Sequence, residues 1–133
     1  HLESVQKRAA RFVCGDFTSR SKGCVSNMIT SLNWDSLAER RKIHRLTVLQ
    51  QARSGHLSLP VGTLLQPAQR QSRHLNSNAY TTLSTNKDCM KYSYFARTIR
   101  DWNSLPEHIT NISSIPQFKV AVHHHLQATK GNQ

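Results

Sequence analysis

The sequence predicts a mainly α protein, with four to five helices around a small core and a short two-stranded β ribbon before the helix that carries Trp102. Three observations lead there. Apolar residues recur at helical spacing in five separate stretches. Gly, Pro and polar clusters punctuate the intervals between them. Residues suited to a pleated, half-buried surface gather mainly at 80–83 and 89–92, on either side of a turn-like 84–88.

The first helix covers residues 2 to 14. Leu2, Val5, Ala9, Phe12 and Val13 share one side, Lys7, Arg8 and Arg11 lie on the other, and Gly15 stops it. A polar connector leads to a short second helix, whose Val25, Met28, Ile29 and Leu32 fall at i, i+3, i+4 and i+7. Residues 36 to 53 should form the longest helix. Ser36 and Glu39 stand at capping-box spacing, where the Ser oxygen takes one orphan amide and the Glu reaches back to another. Its apolar residues fall on two sides, Ile43, Leu46 and Leu49 on one and Leu37, Val48 and Ala52 on another, so it reads as packed from two directions. Arg40, Arg41, Lys42 and Arg45 crowd its first half, and Gly55 ends it.

Residues 60 to 90 form an irregular connector, because Pro60, Gly62 and Pro67 oppose a long helix. Arg70 and Arg73 lie in its Gln/Ser/Asn-rich part, and the β ribbon belongs to its end. In the next helix Phe95, Ile99 and Trp102 make one narrow stripe, while Arg97, Arg100, Asp101 and Ser104 face away. Ser93 is its expected cap, Asp101 the expected i, i+4 partner of Arg97, and Leu105-Pro106 its end. Trp102 should be buried against Phe95, Ile99 and the long helix, and Trp34 also wants burial. The last helix starts near Ser114, accepts Pro116 in its first turn and packs through Ile115, Phe118, Val122 and Leu126; residues 127 to 133 read as a frayed tail.

Composition narrows the function. Eighteen Lys and Arg against seven Asp and Glu give 133 residues a formal charge of +11, which points to a polyanionic partner, most often nucleic acid. The same cations also fit ordinary solvated helix faces. The length suits a single domain or a piece of one, and the chain opens on His1 directly into a helical pattern, so it reads as a fragment. No apolar run approaches the roughly 20 residues of a membrane span. Cys14, Cys24 and Cys89 are widely spaced, with no Cys-x-x-Cys, which fits free buried thiols in an intracellular setting, nuclear or cytoplasmic. Three adjacent residues, His123, His124 and His125, point about 100° apart on a helix and make a poor chelate. The seven carboxylates form no evident magnesium-binding pair, and no Walker loop or nucleophile–base arrangement stands out. No metal site, cofactor or catalytic residue is expected.

The stretch K-Y-S-Y-F-A-R-T-I-R-D-W-N-S-L-P at 91–106 resembles the Y-x-Y-S-F-F-P-R-T-I-R-D-W-N-S-L-P signature near the C-terminus of non-LTR (LINE-type) retrotransposon reverse transcriptases. Tyr92, Ser93, Phe95 and the whole run from Arg97 to Pro106 stand as that pattern has them; Tyr94 replaces Phe and Ala96 replaces Pro. Residues 2–13 resemble the family's L-x-x-V-Q-R-R-A-A-R-F-V. Residues 33–41 resemble G-W-x-S-L-x-x-R-R, with Asn33 for Gly, and 114–119 resemble S-x-x-x-F-K. The resemblance implies a single post-polymerase segment of an RNA-directed DNA polymerase. The aromatic-x-Asp-Asp motif and the zinc knuckle of some lineages are missing from it.

Three functional readings follow. In the first, a non-catalytic segment contacts template RNA or target DNA through Lys7, Arg8, Arg11, Arg40, Arg41, Arg45, Arg70, Arg73, Arg97 and Arg100. In the second it is a structural cap on the polymerase domains of the parent protein, for which the mark is a broad exposed apolar patch. In the third, residues 24–32, the turn at Asn33-Trp34-Asp35 and the helix at 36–53 form a DNA-binding helix-turn-helix.

Overall fold

A computed structural model describes residues 2–58, 61–69, 75–83 and 88–131. The helices are α1 (Leu2–Cys14), α2 (Cys24–Ser31), α3 (Leu37–Arg53), α4 (Val61–Leu64), α5 (Asp88–Lys91), α6 (Tyr94–Asn103), α7 (Glu107–Thr110) and α8 (Ile115–Gly131). Five have eight residues or more and three are single turns, so the chain is mainly α. It divides into two compact units, His1–Arg41 and Lys42–Gln133, with α3 running across the division.

In the first unit α1 packs on α2. Ala10 is fully buried and Glu3 and Gln6 half-buried, with the Gln6 amide donating to the carbonyl of Asp35 at 2.7 Å. These three positions lie about a quarter turn from the apolar stripe, at 100° per residue. Leu2, Val5, Phe12 and Val13 of that stripe are therefore exposed, Phe12 at 75%. α2 contributes half-buried Val25, Met28 and Ile29, and Leu32 caps it. Its end is a Schellman turn: Trp34 N–H donates to Ile29 O at 3.0 Å, and Asn33 sits at φ +53°, a left-handed position that Asn tolerates. Trp34 itself is 37% exposed and not a core residue, in a unit whose one buried hydrophobic residue among those described is Ala10. The capping box of α3 forms: Glu39 N–H donates to Ser36 Oγ at 3.3 Å and Ser36 N–H to Glu39 Oε2 at 3.2 Å.

The second unit holds the core. Ile43, Leu46 and Leu49 of α3 meet Ile99 and Trp102 of α6, Leu105, Ile109 of α7, and Phe118 and Val122 of α8; Phe95 and Leu126 pack at its edge. Trp102 is fully buried, with its ring 5.7 Å from that of Phe118 and 6.2 Å from that of Tyr80. Its indole N–H donates to Asn78 O at 3.0 Å, and the Arg53 guanidinium lies 5.7 Å from the ring centroid. Buried Asn76 closes the end of α6, donating to Trp102 O and Leu105 O at 3.2 and 3.0 Å. Trp102 O also accepts from Leu105 N–H at 3.0 Å, so Asn76 adds a second donor there and bonds the Leu105 carbonyl just past the helix end.

Four expectations need correction. No β ribbon is present among the described residues. Residues 88–91 form the helical turn α5, and Tyr80 makes only an isolated antiparallel bridge with Pro67. The reason is Asn103, whose side chain accepts from Tyr80 N–H at 2.9 Å and donates to Tyr80 O at 2.7 Å, occupying the groups a second strand would need. Ser93 is the N-cap of α6, but its side chain makes no capping hydrogen bond. α8 stays helical to Gly131, so the fraying expected from 127 does not set in there. The cysteines are free, but Cys14 and Cys89 are exposed and only Cys24 is half-buried.

Candidate nucleic-acid interface

The ten expected cations separate into three groups. On α1, Lys7 and Arg8 are exposed. Arg11 is not available: it donates to Asp16 O and Ser19 O at 3.2 and 2.8 Å and reaches Cys24 Sγ at 3.6 Å, tying the α1–α2 connector together. That connector is ordered from the other side by Asp16, whose carboxylate accepts from the amides of Ser19 and Thr18 at 2.9 and 3.1 Å. Hydrogen bonds from Ser19 and Thr18, with the nearby Arg11 charge, hold the Asp16 carboxyl below its ordinary range.

The basic run of α3 is largely committed. Arg41 pairs with Glu3 at 2.5 Å and donates to Leu37 O. Lys42 and Arg45 both pair with Asp101, at 3.1 and 2.9 Å, with all three side chains less than one-third exposed. Asp101 is thus held by α3 and not by Arg97, because two cations at close range outbid a single i, i+4 neighbour. Of that run only Arg40 stays exposed and outside the ion pairs among the described residues. Arg53, though exposed, is likewise committed, donating to Thr110 O and Asn78 Oδ1 at 2.9 and 2.8 Å.

On α6, Arg97 and Arg100 are exposed. Arg97 lies against the ring of Tyr92, 5.2 Å from its centroid, and the Lys91 ammonium lies 5.6 Å from the same ring. Arg70 and Arg73 fall outside the described residues. No group of three His, Cys, Asp or Glu side chains converges on a metal-sized site among the described residues; His123 and His124 are 6.0 Å apart, ring to ring. No helix among the described residues is long and apolar enough to cross a membrane.

Sequence reasoning identified the exposed cations but missed which cations the fold consumes. Arg45 and Asp101 are 56 residues apart and no local pattern joins them. Tyr92 was visible in the 91–106 run and could have been marked by its two cationic neighbours, Lys91 in sequence and Arg97 one turn into the helix. Set against protein-family models, curated proteins and solved structures, the chain matches none of them.

Proposed function

We propose that the chain is a non-catalytic segment that contacts RNA or DNA through backbone charge, as the C-terminal segment of a non-LTR retrotransposon reverse transcriptase would. The observation that carries this reading is the charge left after internal pairing. Lys7, Arg8, Arg40, Arg97 and Arg100 are exposed and in no ion pair among the described residues, on a chain of net charge +11. Such cations displace counterions from phosphates and set a salt slope. Each one that displaces a counterion from a single strand adds about 0.7 to the slope of log affinity against log salt. Fluorescence anisotropy of a labelled oligonucleotide across a salt series measures it, and undetectable binding at the low end would refute the reading. Template-directed nucleotide incorporation by the pure chain with magnesium would refute its non-catalytic part.

The exposed stripe of α1 favours a second reading, a structural cap. Leu2, Val5, Phe12 and Val13, continued by Phe17 at 63% exposure, form the contiguous apolar surface that a buried contact would use, and polymerase domains of a parent protein are the partner this reading names. A helix-turn-helix is less well supported, because Arg41, Lys42 and Arg45 of its recognition helix are already held by carboxylates.

A further inference from the structure

Tyr92 lies in the turn between α5 and α6 and is 56% exposed with both of its cationic neighbours in place. Ser93 is the N-cap of α6, so Tyr92 and Arg97 occupy the two positions whose contact fixes how a chain enters a helix. That structural role calls for two apolar side chains, and an arginine is an odd choice for one of them. Arg97 is also in no ion pair among the described residues, since Asp101, four residues on, is turned toward Lys42 and Arg45. The outcome is an exposed aromatic ring with a guanidinium and an ammonium set against it, and Arg100 exposed one turn further along.

Rings and cations so combined suit a particular ligand. A base stacks on an aromatic face whatever its identity, and neighbouring cations add cation–π attraction and hold the flanking phosphates. Bases inside a duplex offer no free face, so a platform of this kind selects unpaired strands.

We propose that Tyr92 is a stacking platform for an unpaired base of single-stranded nucleic acid, with Lys91, Arg97 and Arg100 holding the phosphates beside it. This rests on the nucleic-acid reading above and adds to it the strandedness of the ligand and the residue that selects it. The test uses the full chain and anisotropy of labelled oligothymidine, oligouridine and an abasic strand of equal length at about 50 mM salt. Stacking of one base predicts about tenfold tighter binding of a base-containing strand than of the abasic one. Tyr92→Phe should keep that preference. Tyr92→Leu, which retains an apolar contact at the helix entry, should abolish it while leaving the melting temperature and the salt slope unchanged. Equal affinity for base-containing and abasic strands, or a preference that survives Tyr92→Leu, overturns the platform and leaves the charge reading standing. Failure of every strand to bind overturns both.

Discussion

Helices α1 and α6 carry the same kind of pattern and meet opposite fates. Each has large apolar anchors on one side and cations on another. α6 buries Ala96, Thr98, Ile99 and Trp102, whereas α1 buries Ala10 alone and leaves Phe12 three-quarters exposed. The two units repeat the contrast: among the described residues the first contains one buried hydrophobic residue and the second thirteen. Amphipathicity marks a face that gains from leaving water, but it does not say what covers that face. For α6 the cover is in the chain, in Phe118, Ile109 and α3. On α1 the residues taken out of water are Glu3, Gln6 and Ala10 instead, with Gln6 bonded to Asp35 O and Glu3 paired with Arg41, and an apolar face of this size on a unit of 41 residues is the one a partner would bury.

The sharpest way to test that contrast is to truncate one anchor on each helix. Trp102→Ala removes a fully buried indole, its ring contacts with Phe118 and Tyr80 and its bond to Asn78, and should cost about 3–5 kcal/mol in a denaturant titration. Phe12→Ala removes an exposed ring and should stay within about 0.5 kcal/mol. A cost above about 2 kcal/mol at Phe12 would show its face covered in the isolated chain, and the contrast would collapse.

How much of this was legible in the sequence follows from where each partner lies. Helix existence was local information: the stripes of α1, α6 and α8, the Ser36–Glu39 box and the stop at Gly55 all come from residues within a few positions of one another. The Phe95–Ile99–Trp102 stripe announced the core of the second unit for the same reason. The destinations of Arg45, Arg53 and Asp101 depend on partners 56, 57 and 59 residues away, since Asp101 also pairs with Lys42, and no spacing rule reaches that far. The β ribbon is absent because β propensity at 80–83 and 89–92 does not by itself fix pairing between them. In the fold, the Asn103 side chain fills the hydrogen-bonding groups of Tyr80.

The second prediction follows from that error. The segment 75–83 was legible only as β-prone at 80–83, yet it supplies Asn76, which is 6% exposed and bonds two carbonyls at the end of α6. Asn76→Ala removes both bonds, leaving Trp102 O with the Leu105 N–H alone, and should cost about 1–3 kcal/mol, less than Trp102→Ala and more than any change on the outer face of α1. Asn76→Asp is the sharper variant: it keeps the shape and replaces the donor with an acceptor, so it should cost at least as much. If both are neutral in the same titration, the segment does not close the helix.

The smallest expected effect is one of pH, and it separates the two units by where each begins to weaken. His125 on α8 is half-buried; burial first, then the positive neighbours His108 and Lys42, push its pKa below the ordinary 6.5. The unfolded chain therefore binds a proton that the fold resists, and stability rises with pH across that interval. Its contribution is present above about 6.5 and is lost as pH falls through the lower folded value. In the first unit Asp16 has its pKa lowered from 3.8 by bonds from Ser19 and Thr18, so its contribution persists above about 3.8 and disappears only below it. Acidification from neutral pH should accordingly lower the melting temperature of the second unit while the α1–α2 connector is still held. Trp34→Phe leaves Trp102 as the sole tryptophan, so its fluorescence reports the second unit alone during thermal melts between about pH 7.5 and 5. His125→Gln should flatten that dependence, because a neutral amide has no proton to gain. A melting temperature that falls just as steeply in the His125→Gln chain would place the titrating group elsewhere and overturn the assignment to His125.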